Sequence, residues 1–109
     1  MPWVRAAARS ALDGRAMMAV RCNGQRVALY ALDDGVYATS DTCPHLGALL
    51  SYGTVVQGYV ECPMHHALFD IRTGETDGSV TDKSVRTFPV KVEEGEIYVE
   101  LPAMEENAS

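Results

Sequence analysis

Apolar and polar residues alternate with period two through most of the chain, the pattern of strands that bury one face. On either side of Asn23 and Gly24, Met18, Val20 and Cys22 share one face of a strand, and Val27, Leu29 and Ala31 one face of its partner. The same alternation runs through TFPVKV and EIYVEL around Glu94 and Gly95, setting Val90 and Val92 against Ile97, Val99 and Leu101. A further turn at Asp34 and Gly35 opens the strand GVYAT. Asn-Gly and Asp-Gly are favoured in type I′ hairpins, whose two central residues both need positive φ. Short strands joined by tight turns predict an all-β fold, an antiparallel β-sandwich or barrel. Residues 5–12 (RAAARSAL) suit either one helical turn or an edge strand leading to a turn at Asp13 and Gly14, and the pattern leaves both open.

A chain of 109 residues predicts one domain, taken as residues 1–104, followed by a polar, frayed tail at 105–109. Charged residues make up 22% of it, an ordinary share for a globular protein. No apolar run approaches the roughly 18 residues needed to span a bilayer, and the first fifteen residues lack the apolar centre of a signal peptide. A cytoplasmic protein with no membrane partner is expected. The net charge of −6 is uneven: residues 1–60 carry five basic and four acidic side chains, residues 61–109 four basic and eleven acidic. That balance speaks against nucleic acid as a partner and favours basic protein surfaces.

Two stretches, CPHLG at residues 43–47 and CPMHHALFD at 62–70, hold all three histidines and two of the three cysteines. An odd cysteine count without an export signal argues against a disulfide framework, and thiols grouped with histidines point to metal. Cys43 and His45 form CxH, Cys62 and His65 form CxxH, so each loop offers one sulfur and one nitrogen. Such a set can hold a tetrahedral structural zinc. It can equally hold a Rieske [2Fe–2S] cluster, with two thiolates on one iron and two imidazoles on the other. Zinc sites more often group their ligands as CxxC and HxxxH pairs, whereas the Rieske arrangement accounts for the mixed pairing.

The two loops and their surroundings, CPHLGALLSYG and VECPMHHALFDIRTGE, resemble the soluble Rieske ferredoxins of bacterial aromatic-ring-hydroxylating dioxygenase systems. The likeness extends through GVYATSDT before the first loop to FPVKVEEGEIYVEL at the end, covering roughly residues 13–101. It implies a Rieske-type antiparallel β-sandwich with a small cluster-binding subdomain at about residues 41–72. One [2Fe–2S] cluster is implied, with Cys43 and Cys62 on the inner iron and His45 and His65 on the outer. The implied function is one-electron transfer from a flavin-dependent NAD(P)H ferredoxin reductase to a terminal Rieske oxygenase, by a monomer that is not itself an enzyme. Every histidine lies in the cluster region, so no base is left for a catalytic constellation elsewhere.

Departures from relatives sharpen the picture. High-potential Rieske proteins add a cysteine to each loop to form a disulfide; Ala48 or Leu49 and Met64 stand here instead. Their hydroxyl donors after the second histidine are replaced by His66, Ala67, Leu68 and Phe69. Fewer donors predict a potential toward the low end of the Rieske range, roughly −150 to +300 mV. Residues 77–85 lack the proline of the family's third loop. Pro44, Pro63 and Gly47 suit tight loops, and main-chain N–H groups there are expected to donate to cluster sulfur. Tyr52, Leu46, Met64 and Phe69 are read as cover for the cluster or packing beside it, Cys22 as a buried thiol, and His66 as a side chain outside the ligand set. Two other readings stand beside this one. Nitrite reductase small subunits are similar in fold but are not expected to keep all four ligands, and a zinc-stabilised interaction protein would need zinc in the same site.

Overall fold

The computed structural model describes residues 3–43, 48–64, 66–76 and 83–101. Among these, ten strands account for nearly all of the regular structure. In chain order they are β1 (Trp3–Ala8), β2 (Met17–Cys22), β3 (Gln25–Leu32), β4 (Gly35–Ser40) and β5 (Thr54–Val56). There follow β6 (Tyr59–Glu61), β7 (Leu68–Asp70), β8 (Thr87–Phe88), β9 (Val90–Glu93) and β10 (Glu96–Glu100). They form three antiparallel sheets, ordered β1-β10-β9, β2-β3-β4-β8 and β5-β6-β7. The all-β expectation holds. The open question at residues 5–12 resolves into both alternatives in series, since β1 is an edge strand and Arg9–Leu12 is a single 3₁₀ turn.

The first hairpin has the predicted register, Val20 opposite Val27 and Met18 opposite Leu29, with φ of 50° at Asn23 and 81° at Gly24. The last pairs Val90 with Val99 and Val92 with Ile97, again across two positive-φ residues, Glu94 and Gly95. The middle turn differs from expectation by one position. Leu32 pairs with Gly35, so the turn is Asp33 and Asp34, neither with positive φ, and Gly35 is the first strand residue at φ 149°. An unpredicted hairpin joins β5 to β6 through Gln57 and Gly58, at φ 50° and 84°.

Pro89 divides what reads in the sequence as one strand. Proline supplies no N–H to a ladder, and the chain changes sheets there, β8 pairing with β4 and β9 with β10. The same crossing stitches the two larger sheets together. Between them lies one apolar cluster, with Val27, Leu29, Ala38, Ile97, Val99 and Leu12 buried and Val4 and Val20 packed at its margin.

The other face of β3 is buried as well. Ala28 and Tyr30 lie in a second cluster with Leu50, Val60, Phe69, Ile71, Cys43 and Cys62. This explains the unbroken VALY run: a strand covered on both faces needs apolar residues at every position. The Tyr30 hydroxyl donates to Thr39 Oγ1 at 2.8 Å, and the Thr39 hydroxyl donates to the Ser40 carbonyl at 2.9 Å. Burial pushes the Tyr30 phenol well above its usual range.

The β5-β6-β7 sheet is thereby laid against the β2-β3-β4-β8 sheet, and Arg72 fastens it from outside. Its guanidinium reaches Asp34 Oδ1 at 2.9 Å and Oδ2 at 3.3 Å, and lies 5.3 Å from the Tyr37 ring centroid. The Arg72 hydrogen bond holds the Asp34 carboxyl below its ordinary value. A depressed carboxyl stabilises the fold above its unfolded value and stops doing so as pH falls through its folded one. Asp34→Asn is therefore expected to lower the urea midpoint at pH 7, with the gap to the native protein closing once pH drops below 3.8. A gap that stays constant into acid would show that the pair contributes nothing.

Candidate metal centre

The two Cys/His loops share one backbone device. The Cys43 N–H donates to the Ala48 carbonyl at 2.7 Å, and the Cys62 N–H to the Ala67 carbonyl at 2.8 Å. Each loop is thus closed at its root by a bond from its cysteine to the residue five positions on. Thr42 bridges Leu49 beneath the first loop, and β6 and β7 pair Glu61 with Leu68 beneath the second. Both cysteines are almost completely inaccessible, at 2% and 1%, within the same apolar cluster. No disulfide joins any of the three cysteines. Cys22 belongs to the other cluster, on the far side of the β2-β3-β4-β8 sheet, where burial raises its thiol pKa. The site therefore has two thiols to offer.

His45 and His65 lie outside the described residues, as do Pro44, Leu46 and Gly47. His66 is described. It takes a left-handed conformation, φ 61°, and its N–H donates to the Cys62 carbonyl at 3.0 Å. Its ring points outward, 76% exposed, with Nδ1 at 2.8 Å from Glu61 Oε2. Phe69 is wholly buried and is packing. Tyr52 and Met64 are exposed, at 76% and 59%. The N–H groups of Cys43, Cys62 and His66 are committed to carbonyls, which narrows the set of main-chain donors that sulfur can use.

Comparison with known proteins bears on what this arrangement holds. The Rieske [2Fe-2S] domain profile matches residues 2–89. The chain belongs to the Rieske [2Fe–2S] family. It is 31% identical over 99 residues to the ferredoxin component of the naphthalene 1,2-dioxygenase/salicylate 5-hydroxylase systems of a Ralstonia species, covering 91% of this chain and 95% of that one. It matches a chain from the complex of reduced oxygenase and oxidized ferredoxin in carbazole 1,9a-dioxygenase, with a TM-score of 0.81, 37% identity and coverage of 89% and 91%. A Mycobacterium tuberculosis protein described as an NADH-dependent nitrite reductase small subunit is also similar, with a TM-score of 0.82, 31% identity and coverage of 94% and 97%.

The protein is an electron carrier of the Rieske ferredoxin type rather than an enzyme, and its cofactor is one [2Fe–2S] cluster. The described residues fit such a group. A Rieske centre asks for two thiolates only, and two buried thiols at the roots of paired loops are what the fold supplies.

The support beneath the first loop comes from a residue that the sequence reading passed over. Asp41, two positions before Cys43, is wholly buried. Its Oδ1 accepts from the Ser51 N–H at 2.8 Å, and its Oδ2 from the Ser51 hydroxyl at 3.0 Å. Arg26, on β3, adds Nε at 3.1 Å and Nη2 at 3.0 Å to the same Oδ2. The Asp41 carbonyl accepts from Leu50 N–H at 2.7 Å, and the Asp41 N–H donates to the Arg26 carbonyl at 3.1 Å. One carboxylate thus ties the two ends of the loop to each other and to the central sheet. Extending the alternation of β4 from Tyr37 through Thr39 puts Asp41 on the inner face; nothing local in the sequence names Arg26 as its partner.

The second loop is supported by close backbone contact. A Cβ placed on Gly53 would stand 1.9 Å from the Glu61 carbonyl oxygen, next to Cys62. Downstream, Asp70 Oδ1 accepts from the N–H groups of Arg72 and Thr73, and Val85 N–H closes onto the Gly74 carbonyl at 2.8 Å. Residues 77–82 of the proline-free third loop lie outside the described residues. Gly53→Ala must push β6 away from residue 53, and is expected to destabilise the protein by at least the ~1–3 kcal/mol of ordinary overpacking. Cluster content should fall with it. Unchanged iron content and an unchanged urea midpoint would contradict this contact.

Proposed function

We propose that Cys43 and Cys62 bind one iron through thiolate and that His45 and His65 bind the other through ring nitrogen. The observation that carries this is the burial of Cys43 and Cys62, alone among the three cysteines, in one cluster at the roots of two equivalently closed loops. The outward turn of His66 onto Glu61 supports His65 rather than its neighbour as the fourth ligand. When bound, the cluster takes up and releases one electron without making or breaking a bond.

The relatives' roles suggest the two ends of the electron's path. A flavin-dependent ferredoxin reductase using NAD(P)H supplies the electron, and a terminal Rieske oxygenase receives it, the latter by analogy with the carbazole 1,9a-dioxygenase complex. The protein works as a cytoplasmic monomer. Among the described residues no helix is long and apolar enough to cross a membrane. Its single domain spans residues 1–104, with cluster ligands confined to about 41–72; the tail lies outside the described residues.

A nitrite-reductase role draws support from the structural likeness to the small-subunit protein. The presence of Cys43, His45, Cys62 and His65 together favours the electron carrier. The distinguishing experiment supplies NADH, a candidate reductase and a ring-hydroxylating oxygenase, and measures hydroxylated product with and without this protein. Product should depend on it, His65→Ala should abolish both cluster and turnover, and His66→Ala should keep the cluster spectrum. Colourless protein containing zinc, or loss of the cluster in His66→Ala only, would overturn the assignment.

The loops carry neither a disulfide nor hydroxyl donors at residues 66–69. Since hydrogen bonds to sulfur favour the reduced state, the midpoint potential should lie in the lower half of the Rieske range. Protein-film voltammetry giving a value above about +100 mV, within a family range of roughly −150 to +300 mV, would contradict this.

A further inference from the structure

A neutral hydrogen-bonding residue in place of Asp41 would join the ends of the first loop but would have fewer acceptor positions. The carboxylate oxygens of Asp41 receive four donors, two from Ser51 and two from Arg26, which a hydroxyl cannot match. The cost of that choice is a full negative charge with no solvent access. Asp41 is separated from Cys43 by one residue, which limits the Cα separation to about 7 Å. In a dry interior a charge that close acts strongly on the free energy of adding an electron.

Arg26 meets this difficulty from a different element. Its guanidinium donates twice to Oδ2 while its side chain stays 35% exposed, so it neutralises the carboxylate and remains partly hydrated itself. The carboxylate lies inward and the guanidinium reaches toward solvent, which is the order of charges that burial alone would select. Mechanical and electrostatic roles are then divided between the two residues.

We propose that the Asp41–Arg26 pair is the positioning and potential-setting element of the centre: Asp41 fixes the loop that carries Cys43, and Arg26 cancels the charge that this fixing brings beside the ligand. The proposal rests on the reading of Cys43 as an iron ligand. Arg26→Gln leaves Asp41 uncompensated and shifts the midpoint to lower potential. Asp41→Asn leaves Arg26 uncompensated and shifts it higher. The double variant restores neutrality and returns the midpoint toward the native value, the signature of a coupled pair. Ser51→Ala removes one bond to Asp41 without touching any charge, so it speeds cluster loss while leaving the midpoint nearly unchanged.

The test is a spectroelectrochemical titration of each loaded variant, with iron and acid-labile sulfide measured on the same samples. Opposite shifts in the two single variants, cancelling in the double, are the expected result. Shifts of the same sign, as general loosening of the loop would give, overturn the proposal. So does an unmoved midpoint in Arg26→Gln with full cluster content. Should Asp41→Asn fail to load, the sign of the Arg26→Gln shift decides alone. Cys43→Ser in the same series separates the two levels: if it keeps a native spectrum and full iron, the ligand assignment fails, whereas a colourless Cys43→Ser beside an unshifted Arg26→Gln rejects only the role of the pair.

Discussion

The β2-β3-β4-β8 sheet must be covered on both faces, and the arrangement of the rest of the chain follows from that constraint. One face is covered by the β1-β10-β9 sheet, giving a sandwich core around Val27, Leu29, Ile97 and Val99. The other is covered by the short β5-β6-β7 sheet and the roots of the two loops, which bring Val60, Phe69, Leu50, Cys43 and Cys62 against Ala28 and Tyr30. Apolar burial of this kind has no direction of its own. Direction comes from a few polar links, with Asp41 and Arg26 beneath the first loop and Arg72 on Asp34 at the outer margin. The thiols of Cys43 and Cys62 are thus part of the core.

That placement suits an electron carrier. Thiols held at interior density would let a cluster bound to them change charge with little rearrangement of the atoms around it. The acidic balance of the second half of the chain lies partly in the β9-β10 hairpin, where Glu93, Glu94 and Glu96 gather around the turn. By strand register this hairpin is remote from the loops, since β8 leaves β4 opposite Thr39 and runs away from Cys43 toward it. Those three glutamates therefore lie away from the roots of the loops.

Much of this was legible in the sequence where the information is local. Period-two alternation located both long hairpins, and Asn23-Gly24 adopts the turn its composition implies. The two Cys/His loops stand out in the sequence because the CxH and CxxH pairs are local patterns that need no distant partner to be seen. What escaped was what depends on distant partners. The second buried face of β3 was hidden because alternation reports one face, and Ala28 and Tyr30 on the other are covered only by elements distant in the chain. The β5-β6 hairpin was missed because three-residue strands are too short to show a period. Pro89 marks a change of sheet, visible only when both partners are known. The clamp on Asp41 joins residues fifteen and ten positions away, and a lone aspartate after a strand ordinarily reads as a surface turn.

The central claim is that two imidazoles and two thiolates share one binuclear centre. Electron spin-echo and ENDOR spectroscopy of the reduced protein, grown with ¹⁵N-histidine, addresses it most directly, because only ligand nitrogen couples strongly to the unpaired spin. Two inequivalent strongly coupled histidine nitrogens are predicted, one lost in His45→Ala or His65→Ala samples that retain any paramagnetic centre, and both unchanged in His66→Ala. A single coupling, or none, in the native protein would contradict the account.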